Sequence, residues 1–217
     1  MYVYMVRGRR IIIRKTKEET ALTRENILRA ALRVFSRQGF AASTLEDIAS
    51  EAGVTRGAVY WHFSGKAELY QTLLAEGSLR SLDALNEIFS AESSPTVMLR
   101  HLLVRSLEFL EEDETWQQII ELTLFKSEPG IVDSTGTGLE QKYQGAMDLA
   151  HRIEHILREG IASGEIRADL DIQTAALSFN ALINGTILIW FQSSKAFSLR
   201  SIASSLADIY LLGVRVR

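Results

Sequence analysis

Residues Thr44 to Lys66 read TLEDIASEAGVTRGAVYWHFSGK, and this stretch decides the fold. Ser43 or Thr44 can cap a short helix, with Glu46 or Asp47 placed to bond back toward the cap. Ile48, Ala49 and Ala52 give that helix one apolar edge, and Gly53 can take the left-handed conformation that ends it. Val54 then packs inward, Thr55 caps again, and Arg56 to His62 make a second helix of about two turns. Two helices joined by a short turn containing glycine form the helix-turn-helix pattern used to read DNA.

Spacing inside the second helix separates core from surface. Val59 and Phe63 lie four apart and turn to the core, whereas Arg56, Gly57 and Tyr60 fall on the opposite face. An arginine near the start of a recognition helix can reach guanine O6 and N7 in the major groove. Gly57 lets the backbone approach closely and Tyr60 can reach a phosphate. The DNA-contacting set expected from this segment is Thr44, Thr55, Arg56, Gly57, Tyr60, His62 and Lys66, with Arg56 on a base and Thr44, Tyr60, His62 and Lys66 on phosphates.

These residues resemble the N-terminal signature of the TetR family of bacterial transcriptional repressors. Thr44, the DIA at Asp47–Ala49, AGVTRGAVYWHF from Ala52 to Phe63, and Lys66 stand where that signature has them. The likeness runs backward through TRENILRAALRVFSRQGF (Thr23 to Phe40), similar to the family's first helix. The TRGAVYWHF wording and the KTKEET near the start look most like the AcrR- and TtgR-like branch of multidrug-efflux repressors. The resemblance implies an all-α chain with two parts: a three-helix DNA-binding domain, and a larger helical domain for ligand binding and dimerisation. It implies a homodimer on near-palindromic double-stranded operator DNA, released by a hydrophobic small-molecule effector.

Composition agrees. Nearly half of the 217 residues are apolar, enough for one or two cores. There are two prolines and no cysteine, which excludes a disulfide framework and thiolate metal sites. Net charge is −3, unevenly spread: residues 1–70 carry 12 Lys/Arg against 7 Asp/Glu, and the remainder 12 against 20. A head of +5 on a body of −8 is the footprint of a protein whose head alone meets nucleic acid. No apolar leader with a small-residue cleavage site opens the chain, so the expected location is cytoplasmic.

Three domains are expected: a basic extension at 1–15, the DNA-binding domain at 16–66, and the helical body at 67–217. The extension, MYVYMVRGRRIIIR and the following lysine, precedes the point where the resemblance begins. It is either an upstream start, with Met5 as the alternative, or an arm adding phosphate or minor-groove contacts. Thr16 and Glu19 signal a capping box that opens a helix to about Gln38, ended by Gly39. A long helix from Lys66 to about Ser90 follows, then helices near 95–112, 114–127, 139–163, 171–193 and 198–214. EPGIVDSTGTG at 128–138 reads as a loop, and no segment alternates long enough to build a sheet. Thr174 to Phe191, TAALSFNALINGTILIWF, is apolar nearly all round, which means burial on both sides or a membrane span. Asn180 and Asn184 argue against lipid. Burial against a partner fits the resemblance, in which two helices per subunit pair across a four-helix interface, expected here at 139–163 and 171–193.

Leu102 to Phe125 is rich in large apolar groups, among them Phe109, Trp116, Ile120, Leu124 and Phe125. Taken alone, such a stripe at helical spacing is core. The resemblance implies a large apolar pocket among these helices instead, with Ile120 and Leu124 on lining positions and Asn184 on a polar one. That branch often has polar residues at the first two and an acid at the third, so it implies an apolar pocket in which Asn184 orients a guest without attracting cations. Asn180, Glu121 and Trp190 are further candidates. His151 and His155 lie four apart, but Glu154 is between them and no third ligand is near, so no metal is expected. The acidic run Glu111–Glu114 reads as a solvated helix end. No nucleophile, zinc or Walker motif is present, so neither catalysis nor a cofactor is expected. The function expected is a repressor of a multidrug efflux operon; the alternative is a regulator answering to an acyl or aromatic metabolite.

Overall fold

A computed structural model describes residues 2–6, 9–13, 17–90, 94–125 and 137–216. Among these the chain is all-α in class, with helices α1 (Lys17–Ala42), α2 (Leu45–Ala52), α3 (Arg56–His62), α4 (Lys66–Ser90), α5 (Pro95–Glu112), α6 (Glu114–Phe125), α7 (Thr137–Ala162), α8 (Ile172–Gln192) and α9 (Leu199–Val214). Each body helix lies within two residues of its expected bounds. One departure stands at the N-terminus, where strands β1 (Tyr2–Val6) and β2 (Arg9–Ile13) pair antiparallel with Tyr2 opposite Ile13. YVYMV and RRIII are β-branched and aromatic runs, each too short to show a period. The expected loop at 128–138 lies almost wholly outside the described residues, as do Arg7 and Arg14 of the extension.

The chain divides into two compact units, Met1–Leu73 and Leu74–Arg217. In the first, α1 packs on α2 and buries Ile27, Leu28, Ala31, Val34 and Phe35, while Ile48, Ala49, Val59 and Phe63 are buried from the following helices and turn. Gly39, at φ 79°, kinks α1 where the sequence ends it, and a last turn carries Phe40 inward. There Phe40 meets Phe35 at 5.4 Å and Tyr70 at 5.5 Å between ring centroids. Asn26 Nδ2 donates to the Ala52 carbonyl at 2.8 Å, pinning the end of α2 to α1.

In the second unit α5 is central. Its Leu99, Leu102, Leu103, Leu107 and Leu110 are buried with Ala203, Ala207 and Leu211 of α9, Phe179 and Ile183 of α8, and Ile153 and Leu157 of α7. Alanines at 203 and 207 permit the close approach of α5 and α9. The acidic run at 111–114 is not a merely solvated end. Glu111 accepts from the Arg200 backbone N–H at 2.7 Å and the Ser198 hydroxyl at 3.1 Å, and Glu112 pairs with Arg105 and Arg200. Asp113 caps α6 through the Trp116 N–H at 2.8 Å and meets Arg80 of α4 at 3.4 Å. The run is therefore a junction that fixes the starts of α6 and α9.

Candidate nucleic-acid interface

Local chemistry builds the DNA-facing unit step by step. Thr44 caps α2 by accepting from the Asp47 N–H at 3.1 Å, and the Asp47 carboxylate returns to the Thr44 N–H at 2.9 Å. The Thr44 hydroxyl also donates to that carboxylate at 2.8 Å, and this bond first, then that from the Thr44 N–H, holds the Asp47 carboxyl below its ordinary value. Gly53 closes α2 in the left-handed region at φ 65°. The Thr55 hydroxyl then caps α3 by accepting from the Ala58 N–H at 3.2 Å. Val59 is wholly buried and Phe63 nearly so, which turns the other side of α3 outward.

That outward side carries Arg56, Gly57, Tyr60 and Trp61. Arg56 Nη2 donates to the Tyr60 hydroxyl at 3.2 Å, lies over its ring at 5.4 Å, and meets Glu46 of α2 at 3.6 Å. An exposed pair of this kind is weak, so a stronger acceptor can displace it. A methyl group at Gly57 would meet nothing nearer than the Thr55 hydroxyl at 3.9 Å. Packing within the chain therefore does not demand glycine there. Tyr60 is 47% exposed and Trp61 71%. Trp61 was absent from the expected set, although Gly57 and Trp61, four apart, share a helix face. His62 is half-buried, edge-on to Trp61 at 4.6 Å.

Lys66, expected on a phosphate, makes its hydrogen bonds here within its own unit. Its ammonium donates to the carbonyls of Phe40 at 2.7 Å, Ala41 at 3.1 Å and Ser43 at 2.7 Å, and lies 4.5 Å from the Phe40 ring. Three donors meet three acceptors at the kinked end of α1, so this lysine ties the start of α4 to the turn before α2.

The residues expected to line an effector site stand on α5, α6 and α8. Trp190 is 3% exposed, and its indole N–H is spent on the Phe197 carbonyl at 2.7 Å, so it is a core residue. Asn184 is exposed, and like half-buried Asn180 it donates back to its own helix, at 2.9 Å to the Asn180 carbonyl. Trp116 packs against α4 where Gly77 leaves room for its ring; a methyl group there would come within 2.6 Å. Phe109 is half-buried under Arg105, and half-buried Ile120 packs on the core. Leu124 and Phe125 are exposed. Of these eight, Phe125 lines a cleft of about 440 Å³ with Glu121, Phe191, Gln192, Ser194 and Lys195. His151 and His155 are exposed, and His155 meets Glu159 at 3.4 Å.

Residues 27–73 match the N-terminal model of the bacterial regulatory proteins of the tetR family. Residues 94–214 match the C-terminal region of MAATS-type transcriptional repressors. The chain belongs to the tetR family. Among its relatives, the regulator AcrR of Shigella flexneri is 33% identical, with 92% of this chain and 94% of AcrR covered. TtgR of Pseudomonas putida is 35% identical, with 82% and 85% covered. A solved complex of SmeT with triclosan superposes at a TM-score of 0.77 with 30% identity, covering 90% of this chain and 92% of SmeT. SmeT is the repressor of a multidrug efflux pump of Stenotrophomonas maltophilia. Members of the tetR family are transcriptional regulators and not enzymes, and this chain is a DNA-binding transcriptional repressor.

Proposed function

We propose that this repressor controls a multidrug efflux operon in the bacterial cytoplasm, binding a near-palindromic operator as a homodimer and leaving it when an aromatic or apolar small molecule binds the body. The observation that carries the DNA reading is the outward face of α3, where Arg56, Tyr60 and Trp61 stand around an unfilled space at Gly57. Likeness to SmeT, a repressor of an efflux pump that has been solved with triclosan, supports the efflux and effector parts. Release requires the effector to bind the DNA-free conformation more tightly than the DNA-bound one.

In this reading the dimer face lies on α8 and α9, where α7 and α8 were expected. Solvent-facing residues of α7 include His151, Arg152, His155, Arg158 and Glu159, which are polar. The exposed large apolar groups stand on α8 (Leu177, Leu188, Ile189) and α9 (Ile209, Leu212). Gly185 and Gly213 on the same two helices have nothing within 4 Å of a notional methyl group, so neither is demanded by the subunit's own packing. Helix α8 is long and apolar enough to cross a membrane, with 28% of its apolar window buried in the subunit. A partner subunit covering α8 and α9 accounts for that face in a DNA-binding protein.

The test is retention of DNA from upstream of the chain's own gene in gel shifts, with footprinting of the protected site. Two protected half-sites about 34–36 Å apart, or a multiple, are expected of a two-fold protein. Absence of any protected sequence there and beside neighbouring transporter genes would overturn the proposal.

A further inference from the structure

Ser194 and Lys195 are the two non-glycine residues with positive φ among the described residues, at 54° and 60°. L-residues avoid this region, and consecutive occupancy persists only where surroundings over-determine it. Here the Lys195 N–H closes on the Trp190 carbonyl at 2.8 Å, and the ammonium donates to Gln117 Oε1 at 2.6 Å. Gln117 is buried, and its amide N–H is spent on the Glu111 carbonyl at 3.0 Å, which fixes its oxygen toward Lys195. The ammonium is thus held 5.1 Å from the Trp190 ring and 5.6 Å from the Phe191 ring. Among the described residues it makes no ion pair and spends one of its three donors, on Gln117.

This fixed cation stands on the wall of the 440 Å³ cleft at the ends of α6 and α8. Phe125 and Phe191 line the same cleft edge-to-face at 6.2 Å, and Phe191 continues onto Trp190 at 5.1 Å. An aromatic surface ending in an ammonium with spare donors matches one chemical class: a flat ring carrying a carboxylate or phenolate. One ammonium on this wall offers a counter-charge to one negative charge.

We propose that this cleft binds an aromatic monoanion, with Lys195 as its counter-charge and Phe125 and Phe191 as its ring contacts. As the effector site it rests on the ligand-released reading above, so binding is measured apart from operator release. The experiment is calorimetric titration of the full chain with naphthoate, its neutral isostere naphthamide, and naphthalenedicarboxylate. Naphthoate is expected to bind at least about tenfold more tightly than naphthamide, because a charge-assisted hydrogen bond is lost in the amide. The dianion should bind no more tightly than naphthoate. Lys195→Met, which still covers the rings, should bring the naphthoate-to-naphthamide ratio to about one, while Lys195→Arg keeps it. Lys195→Gln, able to bond Gln117, repeats the loss should the methionine variant unfold. A ratio near one in the parent, a ratio that survives both neutral substitutions, tighter binding of the dianion, or no binding of naphthoate overturns the site. Naphthoate binding that leaves operator affinity unchanged upholds the site and overturns the effector-release reading.

Discussion

Lys66 donates its ammonium to the Ser43 carbonyl at 2.7 Å, a bond that spans 23 residues and joins the first turn of α4 to the residue before the α2 cap. With the Phe40 and Ala41 carbonyls it forms a tie across the α1–α2 turn. Lys66→Ala leaves those carbonyls without their cationic donor, and should lower the stability of the DNA-binding unit by on the order of 1–3 kcal/mol. A phosphate ligand would behave differently: its loss flattens the dependence of log affinity on log salt by about one unit and leaves thermal stability alone. Thermal unfolding and gel shifts across a salt series separate the two. An unchanged melting temperature with a flattened slope would return Lys66 to the phosphate role.

Gly57→Ala separates folding from binding. The added methyl group meets only the Thr55 hydroxyl at 3.9 Å, and replacing glycine in a helix should raise stability by about 0.5–1 kcal/mol. Operator affinity should nonetheless fall, because the methyl group occupies space that the DNA surface needs. Equal or tighter operator binding by the alanine variant would show that Gly57 does not face DNA.

Arg56→Ala removes the guanidinium now resting on Tyr60 and Glu46. Both partners are exposed, so stability should change little, while operator affinity falls by about 1–3 kcal/mol and discrimination relaxes at one base position. A set of single-base operator variants, titrated with parent and mutant, checks this. A uniform loss across every variant would make Arg56 a phosphate contact.

Asp47 ties the stability of this unit to pH. Hydrogen bonds from the Thr44 hydroxyl, the Thr44 N–H and Gln38 hold its carboxyl below the ordinary aspartate value. The folded state therefore favours the ionised form, and the contribution is complete above the unfolded value and lost as pH falls through the folded one. Acid melts should show the DNA-binding unit weakening below about pH 4, and Asp47→Asn should flatten that dependence. An identical acid profile in the asparagine variant would remove Asp47 from the acid transition.

The DNA-binding unit was legible because its determinants are local. The cap at Thr44, the left-handed turn at Gly53 and the inward pair Val59 and Phe63 are each set within a few residues. The tie made by Lys66 was not, since its partners are carbonyls more than twenty residues away, and no side-chain pattern marks a carbonyl. How the expected effector residues divide between core and surface was not legible either, for a related reason. Trp190 and Asn184 sit six apart on an apolar helix, and period alone does not say which side meets the core and which a partner. Only the packing of α8 on α5, α7 and α9 turned Trp190 inward and left Asn184 outside. Lys195 lay in a short connection whose positive φ values the residue types give no reason to expect.

The uncovered apolar face supplies the last prediction. Leu177 of α8 is 69% exposed and Leu212 of α9 79%, so neither contributes much to the core of the isolated subunit. Leu177→Asp and Leu212→Asp should therefore leave helicity and the subunit's own packing nearly intact. Burying either carboxylate against a partner, unpaired, costs several kcal/mol, which is enough to dissociate a dimer at micromolar concentration. Light scattering should report a dimer for the parent, purified without detergent, and a monomer for each variant. Operator binding should fall together with the dimer, because each half-site alone offers one recognition helix. Aspartate at Arg152 of α7, an exposed polar position, should leave the dimer intact if α8 and α9 form the interface. A monomeric parent, or dissociation by the α7 variant while both leucine variants stay dimeric, would place the interface elsewhere.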